Sequence, residues 1–490
     1  MFERVLVANR GDIAVRIIRT LKQLEITPVT VFAENDRHSL HVRMSEDAYN
    51  LRSGTFHDTY MNREKMIDAV GWLEADAVHP GYSFLADDPT FAKQVIDAGI
   101  SWLGPPPAVL ERLGNKANGR ELAKKVGFEV IPGSAVGTFE EARDVCKTIG
   151  YPIIIKPSYG AGGLGIRVVQ SEGELEKSFD YVRELARSAF LSGDVLVEKF
   201  LTPCQYLEVS FLADQQGQKV ILPERGLSVQ HQYQKLHAES PTTILSDEER
   251  EELNQLVGSL VKDVNYTSLG NVQFLRSGGT NYFCEVNTHI QLEHPLTEVV
   301  TGLDLVEEQV RVAAGEPLTV TDSSIIQPHG HAMQFRLNAE DPLVDFYPST
   351  GVVKELELPG GPGIRFDHCI YRGYSVVPEY DTYLGQMVVW GATREMARKR
   401  ALSAIQETSL IGFPTTLVFH RHLVEHAMFV EGRVDSQFVE ESQIMEEIQE
   451  EYSAMVAALF AVRKQTSKVQ LPPITNSRWR DGARRDAVGE

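Results

Sequence analysis

From residue 285 the chain reads Glu285-Val286-Asn287-Thr288-His289-Ile290-Gln291-Leu292-Glu293, with a chemically capable side chain at every second position. Side chains on a strand alternate between its faces, so Glu285, Asn287, His289, Gln291 and Glu293 share one face for as long as the segment stays extended. Five such groups make a poor core. They fit either a solvated face or a reactive one, and the apolar partners on the other side favour the second. The segment is the second arm of a hairpin, with Val272-Gln273-Phe274-Leu275 before a Ser-Gly-Gly-Thr turn. A three-residue loop at 278–280 places Gln273 opposite Glu285. Carboxylate and amide oxygens converging in this way suit Mg²⁺, which takes few protein ligands and keeps room for phosphates.

A second motif could meet those phosphates. Gly160-Ala161-Gly162-Gly163-Leu164-Gly165 fits GxGxxG, yet it runs into Ile166-Arg167-Val168-Val169, a β-branched stretch. A dinucleotide fingerprint leads into a helix instead. The loop therefore reads as a flap between two strands, whose backbone N–H groups can approach phosphate oxygens. Lys156 stands just before it and Lys116 at a turn upstream, and lysine is a mobile point charge suited to polyphosphate. Taken singly, each lysine reads as a surface residue.

The elements that hold these groups can be read from periodicity. Val5 to Val7 is an apolar run. Ile13, Val15, Ile17, Ile18, Leu21 and Leu24 then fall at helical spacing, and Pro28 to Phe32 is β-rich. This opens a doubly wound α/β unit. A single glycine, Gly11, in its first turn argues for a Rossmann-like scaffold without a dinucleotide. Strands are expected at 151–156, 195–200, 206–213 and 219–224, and a helix over 247–263 behind a Ser246/Glu249 capping box. One helix is expected over 296–314, a β-rich stretch from 330, a helix near 393–407 and one long helix over 436–464.

Bulk composition narrows the classes. The 490 residues are 42% hydrophobic and 24% charged with a net charge of −20, which disfavours a general nucleic-acid binder. No segment has the length of a membrane span, and the start does not read as a signal peptide. Cys146, Cys204, Cys284 and Cys369 form no paired motif, in keeping with packing roles and a reducing compartment, the cytoplasm.

Together with Ala8-Asn9-Arg10-Gly11, His79-Pro80-Gly81-Tyr82, Glu198-Lys199, Glu224-Arg225, Gln234-Lys235 and Arg336-Leu337-Asn338-Ala339-Glu340-Asp341-Pro342, these motifs resemble the biotin carboxylase family over about residues 1–440. The resemblance implies an ATP-grasp enzyme that uses ATP, Mg²⁺ (or Mn²⁺) and bicarbonate to carboxylate biotin held on another chain. It implies that Lys116, Lys156, Gly162 and Gly163 hold phosphates. Glu198, Lys199, Leu201, Tyr206, Gln230, Tyr233 and Leu275 would line the nucleotide site, and Gln273, Glu285 and Asn287 would face metal. Lys235, His289, Gln291 and the Leu292 backbone would hold bicarbonate, with Glu293 as its base and Arg336 at the biotin enolate.

The chain departs from the family pattern at several of these positions. Gln273 stands where the family has a metal carboxylate, and His289 where it has a bicarbonate-binding arginine. Tyr206 and Tyr233 replace histidines, Gly226 an aspartate and Gln386 a lysine.

The implied architecture is α/β and α+β. A Rossmann-like lobe covers 1–113, and an ATP-grasp domain covers 114–328 with its flap lobe at about 131–204. A C-terminal domain covers 329–440, and an acidic helix and tail cover 441–490. The implied partners are a carboxyltransferase subunit together with a biotin carboxyl carrier protein or biotinylated subunit, in a homodimer or hetero-oligomer, with no nucleic acid or membrane. The alternative expectation is a catalytically impaired paralogue that scaffolds or regulates such a complex. In the tail, Trp479 among Arg478, Arg480, Arg484 and Arg485 reads as a disordered end or as a docking strap for another protein chain.

Overall fold

The computed structural model describes residues 1–160, 165–190, 193–320, 326–377 and 379–466. The flap residues Gly162 and Gly163 and the tail around Trp479 lie outside the described residues. Among those described, no helix is long and apolar enough to cross a membrane.

The first lobe is built on a parallel five-stranded sheet. Its centre is Arg4–Val7, flanked by Thr27–Ala33 and Ala77–His79, with Asp47–Arg52 and Ser101–Trp102 at the edges. Helix Gly11–Gln23 buries Ile13, Ile17, Ile18 and Leu21 against one face, as their spacing predicts. The strand, turn, helix and strand expected over residues 4–34 are all present.

A small antiparallel sheet follows in the order Gly133–Val136, Val195–Lys199, Ile153–Pro157, Arg167–Val169, with helices Phe139–Ile149 and Glu172–Phe190 packed on it. The glycine loop joins Ile153–Pro157 to Arg167–Val169, two antiparallel neighbours, as a flap should.

The rest of the body hangs on one nine-stranded sheet. Its main path runs Thr280–Asn287, Ser268–Ser277, Gln205–Ala213, Arg225–Gly226, His237–Ser240, His331–Asn338, Tyr383–Gly391 and Ile364–His368. The strand that carries Glu285 and the strand that carries Arg336 therefore belong to the same sheet. Helix Asp247–Asp263 starts at the Ser246/Glu249 capping box, and helix Arg394–Glu407 lies where its pattern places it.

Four expectations are corrected. The stretch 296–314 is two helices, His294–Thr301 and Leu305–Ala313. They are split where Gly302 turns left-handed (φ 78°) and Asp304 caps the second. The stretch 436–464 is likewise split, into Phe438–Glu441 and Ile444–Thr466, at Gln443 with φ 61°. The hairpin turn is the two residues Gly278 and Gly279, because Ser277 pairs with Thr280. Gln273 still faces Glu285 because a bulge between Gln273 and Phe274 leaves Cys284 as the extra residue. Finally, strand alternation stops at Asn287. The chain then leaves the sheet and turns into a helix that begins just after Glu293, with Pro295 in its first turn, so residues 289–293 are placed by a turn and not by a pleat.

Candidate active site

One face of the nine-stranded sheet carries a row of polar residues from four strands. Arg225 pairs in register with Glu208, Glu208 with Gln273, and Gln273 with Glu285, so all four point the same way. Sequence reading found Gln273 and Glu285, noted Arg225 only within the Glu224-Arg225 motif without a role, and missed Glu208. The signal was there: Leu207-Glu208-Val209-Ser210 is a polar alternation inside an otherwise apolar strand, and Glu208 is fully buried. Arg225 donates to Glu208 at 2.9 Å and to Thr297 at 3.0 Å, and Lys235 Nζ donates to the other Glu208 oxygen. Tyr206 and Leu275 pair one step along the same face, giving the row an apolar border.

At the flap end, Lys116 Nζ lies 3.1 Å from Glu285 and also donates to the Gly160 carbonyl. Lys156 is buried and sits 2.8 Å from Glu198, whose other oxygen takes Arg120 at 2.8 Å. Burial works against the Lys156 ammonium, but the neighbouring Glu198 outweighs it and the pKa is raised. Burial likewise works against the Glu285 carboxylate, and Lys116 and Lys156 hold its pKa below the usual range. Glu285 thus stays ionised beside two ammonium groups. Asn287 spends an amide N–H on Asn271 Oδ1 at 3.0 Å, which leaves its own carbonyl oxygen as an acceptor. One ionised carboxylate with the amide oxygens of Gln273 and Asn287 is a donor set that fits Mg²⁺ when nucleotide phosphates supply the remainder.

The other end centres on Glu293, which is fully buried. Its Oε1 accepts from Arg336, while its Oε2 has no hydrogen-bond donor among the described residues and lies 3.6 Å from Lys235 Nζ. Burial opposes the Glu293 carboxylate, but Lys235 and Arg336 hold its pKa far below the ordinary carboxylate range. A buried, ionised carboxylate with one uncommitted oxygen is poised to accept a proton once its cations turn to an anionic substrate. The Leu292 carbonyl accepts from Gln334 at 3.3 Å, Gln334 also donates to Gln386, and Gln291, the residue before Leu292, is half-buried.

His289 is held differently from the expectation of a free bicarbonate donor. Its Nδ1 faces the Ile290 carbonyl at 2.8 Å and its Nε2 faces Asp87 Oδ2 at 3.2 Å, so both ring nitrogens meet protein acceptors. Burial lowers the His289 pKa, but Asp87 more than offsets this and the net shift is upward. Asp87 also accepts from Thr288 at 2.9 Å. Asp87 belongs to the first lobe and had no sequence signal linking it to this turn.

The remaining candidates divide. Gln230 is buried, pairs with Lys235 in a short hairpin and donates to the Leu227 carbonyl at 2.8 Å. Tyr233 sits at the tip of that hairpin in a left-handed conformation (φ 65°) and is exposed. Leu201 is half-buried just beyond Val195–Lys199. Lys199 caps the carbonyls of Gly150 and Tyr151, at 3.2 and 2.9 Å, and so braces the small sheet.

Comparison with known proteins places this geometry. The family model for the biotin carboxylase N-terminal domain matches residues 1–110. That for the carbamoyl-phosphate synthase L chain ATP-binding domain matches 115–321, and that for the biotin carboxylase C-terminal domain matches 334–441. One of the subunits of pyruvate carboxylase from Methanothermobacter thermautotrophicus is 39% identical over 443 residues, 90% of this chain and 90% of that protein. Biotin carboxylase of Nostoc sp. is 39% identical over 90% of this chain and 99% of its own length. The biotin carboxylase domain dimer of Hydrogenobacter thermophilus 2-oxoglutarate carboxylase, solved with MgADP, ADP and bicarbonate, superposes with a TM-score of 0.88. It is 38% identical and covers 91% of this chain and 99% of the solved chain.

Proposed function

This chain belongs to the biotin carboxylase family, and from that premise we propose that it uses ATP and bicarbonate to carboxylate biotin carried on a separate chain. In this reading it is the biotin carboxylase subunit of a multi-subunit biotin-dependent carboxylase. The observation that carries the reading is Glu293, a fully buried carboxylate with one oxygen on Arg336 and the other, beside Lys235, without a hydrogen-bond donor among the described residues.

Bicarbonate would enter between Lys235 and Glu293, near the half-buried Gln291 and the Leu292 backbone. Its negative charge would draw Lys235 away from Glu293. The freed Glu293 oxygen would then take the bicarbonate proton as the oxyanion attacks the terminal phosphoryl group of ATP. Lys116 and Lys156 would neutralise charge on the phosphates under the flap, Glu198 setting the Lys156 ammonium in place. Mg²⁺ held by Glu285, Asn287 and Gln273 would shield the phosphate oxygens. Attack would displace ADP and leave carboxyphosphate, which would break down to CO₂ and phosphate. The phosphate would take the N1 proton of biotin, N1 would bond the CO₂, and Arg336 would face the ureido oxyanion with its permanent positive charge.

The alternative of an impaired paralogue rests on Gln273 and His289. Nothing in the site favours it over the active reading, because Lys235, Glu293 and Arg336 converge. The partners would be a biotinylated carrier and a carboxyltransferase subunit. The test is bicarbonate-dependent ATP cleavage by the purified chain with free biotin added. Cleavage that Glu293→Gln abolishes supports the proposal. Absence of cleavage in the unmutated chain despite ATP binding would overturn it.

A further inference from the structure

Beyond the stretch that matches the family, helix Ile444–Thr466 leaves the body of the protein. Its first turns are anchored: Ile444 and Ile448 are fully buried against Phe419, Leu423 and Phe438. From Tyr452 to Val462 every residue is exposed. Yet the sequence there is Tyr452-Ser453-Ala454-Met455-Val456-Ala457-Ala458-Leu459-Phe460-Ala461-Val462, with no charge in it. Tyr452 is 38% exposed, Met455 and Val456 48%, Leu459 64% and Phe460 66%. A soluble helix normally keeps charge on its free faces, and an apolar patch concentrated in this way marks an interaction surface.

The spacing says what kind of surface it is. Ile448, Tyr452, Met455 and Leu459 are separated by four, three and four residues, and Val462 continues the count. This is the alternation of a two-helix seam. The anchored end of the seam packs inside the protein, and beyond it the pattern repeats on residues that are exposed from Tyr452 to Leu459.

We infer that the exposed seam packs antiparallel against the same helix of a second copy of this chain. Two features of the sequence select that occupant and orientation. First, the seam is its own complement when reversed. Met455 of one copy meets Leu459 of the other, Tyr452 meets Val462, and the two-fold axis passes near Ala457. Val456 then flanks the axis on one side and the small Ala458 allows close approach on the other. Second, charge is distributed unevenly along the helix. Its first half carries Glu446, Glu447, Glu450 and Glu451, and Arg463 and Lys464 follow the apolar stretch. A parallel pair would set four acids against four acids. The antiparallel pair sets each acidic half toward the basic end of its mate. The seam spans only about two heptads, so the association is weak by itself and depends on concentration.

The test uses the full chain. Sedimentation equilibrium across a concentration series measures the weight-average mass of the unmutated protein and of Leu459→Glu, a change at an exposed position. ATP binding serves as the check that the variant is folded. The expected result is association with rising concentration in the unmutated chain and a roughly twofold lower limiting mass for Leu459→Glu. In parallel, Met455→Cys and Leu459→Cys chains are co-expressed, oxidised mildly and mapped by peptide mass spectrometry. The antiparallel pair predicts a disulfide between the two different variants and none within either alone. Self-links in the Met455→Cys protein, absence of the mixed disulfide, or an unchanged mass for Leu459→Glu would each overturn the inference. The last outcome would assign the face to a different protein or to the tail of the same chain.

Discussion

The Asp87 carboxylate lies 3.2 Å from Nε2 of His289, so an acid of the first lobe holds the turn that carries Gln291 and Glu293. Because the partner is a histidine, the strength of that tie depends on pH. The folded-state pKa of His289 is raised, so its contribution to stability is complete below the unfolded value near 6.5 and is lost as pH rises through the folded value. Asp87 is depressed, so its share is lost only in acid, as pH falls below the ordinary aspartate range. Asp87→Asn is therefore expected to lower Tm at pH 6 and to have little effect at pH 9. The side chain of Asp87 is 35% exposed, so solvent screening limits the loss to about 1 kcal/mol. Thermal unfolding of both proteins across that range checks the sign.

Lys156→Ala removes the buried ammonium beside Glu198. A charge-assisted contact to phosphate contributes roughly 1.5–3 kcal/mol, so ATP binding should weaken about tenfold to a hundredfold. Calorimetric titration with MgATP measures this directly, and unaltered affinity would remove Lys156 from the phosphate site.

Gln273 stands between Glu208 and Glu285 in one cross-strand row. Gln273→Glu would line up three carboxylates, of which Glu208 is held by Arg225 and Lys235 and Glu285 by Lys116, so the added charge lacks a cation of its own and destabilises the sheet by about 1 kcal/mol. Added Mg²⁺ should therefore raise the Tm of this variant more than that of the unmutated chain. If the metal and bicarbonate ends act on one phosphoryl group, Gln273→Glu combined with His289→Arg should raise ATP cleavage by more than the product of the single effects. A merely multiplicative double variant would mean the two positions work independently.

Asp12 is buried at the start of the first helix, and burial together with nearby Asp367 pushes its pKa up to about 7. A raised carboxylate costs stability as pH climbs from the unfolded value near 4 to the folded value, because ionising it is harder in the folded chain. Asp12→Asn should be close to neutral at pH 4.5 and stabilising above pH 7, by of order 2–4 kcal/mol at about 1.4 kcal/mol per unit. Denaturant unfolding at the two pH values tests it.

What the sequence disclosed depended on distance along the chain. The Ser246/Glu249 capping box and the helix Gly11–Gln23 are local, and both were legible. The facing of Gln273 and Glu285 was legible for an incomplete reason, since a shorter turn and a bulge together give the pairing that a longer turn alone would have given. The Asp87 contact was invisible because Asp87 and Thr288 are 201 residues apart in sequence. Glu208 was passed over because a lone acid in a β-rich run reads as the solvent side of a strand, whereas here both faces of the strand are covered. His289 was placed with Glu285 by extending an alternation past the residue where the strand ends.

The extra residue at Cys284 has a consequence for how this hairpin can change over evolutionary time. A one-residue insertion or deletion in a tight hairpin ordinarily swaps the two faces of the arm that follows. Here the arm already contains a slack unit between the turn and Glu285. A residue gained at Gly278-Gly279 can be absorbed by flattening that slack, leaving Glu285 and Asn287 aimed as before. The turn is thereby uncoupled from the chemistry and free to drift in length by one. The segment from Glu285 to Glu293 has no comparable give, so length changes should be excluded there.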